Sequence, residues 1–281
     1  MSETSKPNGR AIITFGRSYQ ALAAAQSLGR QGVEVVVCDE APMMMAQFSK
    51  YTIGHFVHPP AKTHQEEYLD TMEENIRRFQ PDSEIPYVLM PIHEQTRLLA
   101  EKQERFAPFV RVAAPQFDAI KKVDPKHKLT PTATNLGLPI PKTWRVANAD
   151  ELEAIIAEIR FPAFLKLPHT SGGIGLHRVE TAEGLRDAYR QTLENFDVAD
   201  EDRHPIVQES VSGSDYCVTA LVRHGVVKAH LTYRNVKTYP WAGGSGAIRE
   251  TVEAKPLVAV ASRLLESLGW HGVALRVENS P

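Results

Sequence analysis

The chain has 281 residues, a hydrophobic fraction of 42%, a charged fraction of 23% and a formal net charge of 32 − 34 = −2. This composition is ordinary for a globular protein, the length suits about two domains at ~150 residues each, and the charge excludes a global drive toward nucleic acid or an anionic membrane. No apolar run reaches the ~18 residues of a membrane span, and the polar start MSETSKPNGR lacks the apolar centre of a secretion signal, so a cytoplasmic protein is expected. The two cysteines, Cys38 and Cys217, lie in apolar strand-like runs and read as buried thiols rather than as a disulfide or a metal site.

Ala11–Phe15 (AIITF) predicts a buried strand, Gly16 a turn, Tyr19–Gln31 an Ala/Leu-rich helix ended by Gly32, and Val33–Cys38 a second buried strand closed by Asp39. Strand, glycine turn, helix, strand and terminal acid make a βαβ unit of a doubly wound sheet. GRSYQA has one glycine where a dinucleotide fingerprint has three, so a Rossmann-like scaffold without a dinucleotide is the better reading. An NAD-dependent oxidoreductase would rest on that stretch alone. Strands follow at Tyr51–Val57, Tyr87–Met90 and Val110–Ala113, with helices at His64–Phe79 and Gln95–Phe106 between them. Residues 1–115 are thus expected to form one small α/β domain with a parallel sheet.

A connecting region comes next: a short helix over Phe117–Val123, the basic, proline-marked DPKHK at 124–128, Thr130-Pro131 as cap and first turn of a helix ending at Gly137, and an extended LPIPKTW. Asn148 or Ala149 starts a helix through Ile159. The apolar strand Pro162–Leu167 follows, with Ala163, Leu165 and Leu167 on one face and Phe164 and Lys166 on the other. A lysine in an apolar strand requires an anionic partner or a route to water. Directly after it comes HTSGGIG, whose Gly172, Gly173 and Gly175 permit close backbone approach, and free N–H groups beside an ammonium suit a polyphosphate. The competing reading is a glycine hairpin beside a strand-end lysine in water. Thr181 caps a helix to about Phe196. Strands at Ile206–Val211, Asp215–Val222 and Val226–Tyr233, a loop over residues 234–246, a strand Ile248–Val252, a helix Pro256–Leu268 and a strand Gly272–Glu278 complete an antiparallel second half.

Taken in order, DPK, GLPIPKT (137–143), FPAFLKLPHTSGGIG (161–175), IVQESVSGSDY (206–216), YPWAGGSG (239–246) and LLESLGWHGVALRVE (264–278) resemble the motifs of the ATP-grasp superfamily, and the resemblance covers nearly everything from about Val110 onward. The pattern is similar to that of the carbamoyl-phosphate-synthetase-like and D-amino-acid-ligase-like members, the carboxylate–amine ligases. It implies a fold of mixed α/β and α+β class: a Rossmann-like pre-ATP-grasp domain (1–115), then an ATP-grasp domain (116–281) with a hinge segment at 116–145, a small lobe at about 146–210 and a large lobe at about 211–281 that clamp ATP.

The resemblance also assigns residues. Lys126 matches the first phosphate lysine, with Lys128 open as its alternative, and Lys166 matches the second and serves catalysis by offsetting charge at the transferred phosphoryl group. Ser171, Gly172, Gly173 and Gly175 would cover the phosphates. Glu209, Ser210 and Val211 match the hinge whose backbone reads adenine, and Asp215 matches the acid that takes the ribose hydroxyls. Gly243–Gly246 match a second flexible loop over the reacting carboxyl, with Arg234, Lys237 and the catalytic candidate Arg249 near it. Glu278 matches the first Mg²⁺ acid, so ATP and Mg²⁺ are the implied cofactors. The family's second metal segment, roughly E-x-N-P-R, is expected some ten to twenty residues beyond Glu278, past Pro281, which reads as a fragment or as a shortened protein. The implied activity is ATP-dependent activation of a small-molecule carboxylate as an acyl phosphate for attack by an amine or similar nucleophile. A homodimer is compatible with it, and nucleic-acid and membrane partners are not expected. The alternative is a nucleotide-binding module without catalysis.

Overall fold

The computed structural model of the chain describes residues 6–170, 173–239 and 245–279, with 274–279 described by backbone alone. The chain divides into two compact units, one up to Phe117 and one from Asp118 onward.

The first unit runs β1 (Gly9–Ile13), α1 (Tyr19–Arg30), β2 (Val33–Asp39), β3 (Thr52–Val57), α2 (Gln65–Arg78), β4 (Tyr87–Met90), α3 (Gln95–Glu101), α4 (Gln103–Phe106) and β5 (Arg111–Val112). Its five strands are parallel in the order β3-β2-β1-β4-β5. The strands are apolar on both faces, so the period of two divides them between two cores. Ile12, Val36, Cys38, Phe56 and Leu89 pack against Tyr68, Leu69, Met72 and Ile76 of α2. Ile13, Val35 and Val37 pack against Ala21 and Ala25 of α1. The helix expected over Gln95–Phe106 is instead two, interrupted at Lys102.

The second unit begins within α5 (Phe117–Lys121). A 3₁₀ turn (Lys126–Lys128) and α6 (Leu129–Asn135) follow. Thr130 does not cap this helix: Lys128 precedes it, no side chain caps it, and Pro131 falls within the first turn, where its missing N–H costs nothing. Then come β6 (Thr143–Arg145), α7 (Ala149–Glu158), β7 (Ala163–Lys166), β8 (His177–Val179), α8 (Ala182–Asn195) and β9 (Ile206–Glu209). Asn148 and Thr181 cap α7 and α8 by accepting from Glu151 N and Gly184 N. The four strands form an antiparallel sheet in the order β6-β9-β7-β8. Ala163, Leu165, Val179 and Val207 pack against α7 and α8.

A second antiparallel sheet, ordered β12-β11-β10-β13, is built from β10 (Tyr216–Arg223), β11 (Val226–Tyr239), β12 (Ser245–Thr251) and β13 (Gly272–Asn279), with α9 (Lys255–Ser267) against it. The loop expected at 234–246 is largely strand. Pairing of β11 with β12 continues from Tyr233↔Thr251 to Tyr239↔Ser245, so Arg234, Lys237, Ser245 and Gly246 belong to a ladder rather than to a flexible loop. The expected strand ends at Tyr233, yet Gly246 is needed inside the ladder: a Cβ there would overlap Asn235 Oδ1. Residues 240–244, which include Gly243 and Gly244, lie outside the described residues. Among the described residues no helix is long and apolar enough to cross a membrane.

One buried titratable group ties stability to pH. His58 is 2% exposed, with Nδ1 2.8 Å from the Pro59 carbonyl and Nε2 3.4 Å from Gln95 Nε2. Burial holds its pKa below the ordinary imidazole value, against the opposing pull of the Pro59 carbonyl and Asp39. The unfolded chain therefore takes up this proton at higher pH than the folded one, and stability is lost as pH falls below about 6.5. Urea unfolding between pH 7.5 and 5.5 should show a shallower loss for His58→Gln than for the wild type. Equal slopes would contradict the assignment.

Candidate nucleotide site

Because Ala163 and Leu165 face the helices, Phe164 and Lys166 stand on the opposite face of the small sheet, together with Gln208, which pairs with Phe164. Lys166 Nζ donates to Gln208 Oε1 at 2.7 Å and lies 5.4 Å from the Phe164 ring centroid. The strand ends there, and the chain passes through Leu167–Thr170 into the glycine stretch.

Lys126 reaches the same place from the 3₁₀ turn. Its Nζ donates to the carbonyls of Leu167 (3.2 Å), Pro168 (3.3 Å) and Thr170, and its backbone N to Pro168 O (3.4 Å). Lys128 does not come to the stretch; its Nζ binds Asp202 Oδ2 at 3.0 Å. Of the two lysines left open by the sequence, the structure brings Lys126 to the glycine stretch. The neighbouring His127, 3.3 Å from Asp202, is held below the ordinary imidazole value by burial, which outweighs Asp202.

Thr170 closes the start of the stretch through Oγ1 to Ile174 O (2.7 Å), and Leu176 N to Gly173 O (3.2 Å) closes its end. Gly173 and Gly175 have φ of 86° and 63°, the left-handed region that favours glycine. Ser171 and Gly172 lie outside the described residues. A cavity of about 380 Å³ opens beside Leu167–Thr170, bounded across from them by Phe196, Asp197 and Arg203. The Lys126 ammonium at the start of a glycine stretch is a donor that fits a polyphosphate.

At the end of β9 the expected hinge residues divide. Glu209 N donates to Lys142 O (3.0 Å) and Ser210 N to Pro162 O (3.0 Å), so these two N–H groups already serve the sheet. The Glu209 carboxylate accepts from Arg160 N at 3.3 Å, on the strand's other face from Gln208. Val211 is exposed, past the strand.

On the large sheet, Asp215 Oδ2 accepts from Asn235 Nδ2 at 2.5 Å, and Asn235 N donates to Asp215 O at 2.8 Å. Asn235 pairs with Arg249, whose guanidinium lies 5.0 Å from the Tyr233 ring centroid. Asp215, directly before β10, is thus bonded to Asn235 of β11, which stands opposite Arg249 of β12 in the ladder. Arg234 is paired with Glu250 at 2.7 Å. Glu278 stands opposite Cys217 in the β10–β13 ladder; its side chain is outside the described residues. Among the described residues no group of three or more His, Cys, Asp or Glu side chains is arranged to hold a metal ion.

Sequence reasoning missed Thr143, Gln208 and Asn235. The signal for Gln208 was its parity with Lys166 on paired strands, a polar residue on the face that does not pack on helices. In the first unit the Asp39 carboxylate is fully buried and accepts from Arg17 N (2.9 Å), Arg17 Nε (3.2 Å) and Ala41 N (3.2 Å). These contacts fix the Asp39 carboxylate at the end of β2.

No family model matches the chain. It is 22% identical over 198 residues to the N-terminal section of the carbamoyl phosphate synthase large chain of Aquifex aeolicus, covering 66% of this chain and 33% of that one. It is 32% identical over 87 residues to the D-alanine–D-alanine ligase of Ectopseudomonas mendocina, 31% of this chain and 26% of that one. Its fold matches a biotin carboxylase from Campylobacter jejuni, solved as a β-γ-ATP complex, with a TM-score of 0.74 and 18% identity over 94% of this chain and 60% of that one. The chain has the fold of the ATP-grasp proteins. It spans about a third or less of the two curated relatives named here.

The glycine stretch gives a direct test of local geometry. Gly137 and Gly175 both have positive φ, but a Cβ at Gly137 meets open space, whereas one at Gly175 overlaps the buried Leu167 side chain. Gly137→Ala should cost about 1–2 kcal/mol for the left-handed backbone alone, and Gly175→Ala about 1–3 kcal/mol more for overpacking. Chemical denaturation compares the two; equal losses would contradict the packing at Gly175.

Proposed function

We propose that the chain is the nucleotide-binding part of an ATP-dependent ligase. In this reading a small-molecule carboxylate takes the terminal phosphoryl group of ATP, giving an acyl phosphate and ADP, and an amine or similar nucleophile then displaces the phosphate. The observation that carries it is that Lys126 donates to the carbonyls of Leu167 and Pro168 directly after β7, whose last residue is Lys166. One ammonium comes from the connecting segment and one from the sheet face, and together they offset polyphosphate charge without a covalent step by any side chain.

The other parts follow from position. The small and large sheets act as two lobes, and the segment after β9, at Val211, supplies backbone groups to the base. Asp215 takes the ribose hydroxyls as an acceptor-only carboxylate whose orientation Asn235 fixes. Arg249 receives an anionic substrate group on the same sheet. Glu278, beside Cys217 in the ladder, supplies a hard oxygen ligand for the Mg²⁺ that accompanies a triphosphate. Similarity to D-alanine–D-alanine ligase and carbamoyl phosphate synthase supports carboxylate activation as the reaction class.

Isothermal titration with a non-hydrolysable ATP analogue tests the reading. Binding should strengthen with Mg²⁺ and weaken by about tenfold or more in Lys166→Ala, the loss of one charge-assisted contact. Equal affinity in the wild type and Lys166→Ala would contradict it.

A further inference from the structure

Two short 3₁₀ turns of opposite charge meet in the second unit. One is Lys126–Lys128, with the sequence KHK, and the other is Glu201–Arg203, with the sequence EDR. Each residue of the second turn binds a different place. Glu201 accepts from Arg145 of β6 at 2.5 Å, and Arg203 pairs with Asp197, just past α8. Asp202 is given to the basic turn, with one oxygen for each of two residues. Its Oδ2 accepts from Lys128 Nζ at 3.0 Å, and its Oδ1 lies 3.3 Å from His127 Nε2. The bond from Lys128 holds the Asp202 carboxyl below the usual carboxylate range, so it is ionised at neutral pH.

The consequence falls on the third basic residue. Basic side chains on consecutive positions of one tight turn repel one another, and the hydrogen-bond geometry of a 3₁₀ turn is too poor to fix it alone. His127 and Lys128 are drawn to Asp202, while Lys126 goes to the carbonyls of Leu167, Pro168 and Thr170. The turn is thereby clamped between the segment before β9 and the strand end after β7. Glu201, bonded to β6, secures the segment that carries Asp202 to the small sheet.

We infer that Asp202 is a positioning residue: by taking His127 and Lys128 it fixes the turn that presents Lys126 to the nucleotide phosphates. This rests on the nucleotide reading above. It also gives a role to an acid beside an anion site, where its charge alone would be a liability.

The sign of one substitution separates this role from plain electrostatics. Removing an acid near a phosphate site should, by its field alone, tighten binding, whereas loss of the clamp should weaken it. Affinity for a non-hydrolysable ATP analogue with Mg²⁺ is read by isothermal titration on the full chain. Asp202→Ala should weaken binding about fivefold, the upper worth of an exposed ion pair. In the Lys126→Ala background the same change should alter affinity by less than about twofold, because the residue it positions is gone. Asp202→Glu, which keeps the carboxylate, should restore most of the affinity. The Asp202 side chain is half-exposed, so neither change opens a core. Tighter or unchanged binding in Asp202→Ala, an equal loss in both backgrounds, or Asp202→Glu as weak as Asp202→Ala overturns the inference and leaves the lysines' role intact. Equal binding by wild type, Lys126→Ala and Lys166→Ala overturns the nucleotide reading, and the inference with it.

Discussion

An ammonium on a half-buried strand is the constraint from which the second unit can be understood. Lys166 sits one residue from Leu165 and two from Phe164, on a strand whose other face is sealed by helices. A charge in such a place must be given acceptors without being dehydrated into neutrality. The small sheet meets that demand by ending β7 at the lysine, by placing an amide beside it on β9, and by opening into a glycine stretch where backbone groups replace side chains. Lys126 brings a second charge to the same strand end and ties the connecting segment to it through three carbonyls. Two cations brought to one strand end are well matched to a polyanion.

The large sheet works by a different economy. Asp215 is bonded to Asn235, and Asn235 stands opposite Arg249 in the ladder. That arrangement requires β11 and β12 to remain paired well past Tyr233, and Gly246 is what lets them: the space a side chain would need is already occupied by Asn235. Glycine here serves close packing inside a ladder, whereas Gly173 serves a backbone conformation and Gly175 serves both. The same residue type thus answers different physical needs in the two glycine-bearing stretches.

Much of this was legible in the sequence. Strongly periodic elements were readable, as with Tyr87–Met90, the Asn148-capped α7 and the face division of β7, because alternation and capping are local. The lysines and the glycine stretch were readable as residue types suited to phosphate. Pairing at a distance set the extension of β11 to Tyr239, whereas the break at Lys102 and the first turn of α6 departed from the local capping signals. Distance also counts at the candidate site. Choosing Lys126 over Lys128 depends on Asp202, 74 positions away, and Gln208 meets Lys166 across 42.

The central claim is that Lys126 and Lys166 together face the phosphates of a bound nucleotide. Competitive acylation of lysines, read by mass spectrometry with and without a saturating Mg²⁺–ATP analogue, tests it most directly. The account predicts protection of Lys126 and Lys166 together, with Lys50 and Lys62 of the first unit unchanged. Protection confined to the first unit, or analogue binding that leaves both Lys126 and Lys166 as reactive as before, would contradict it.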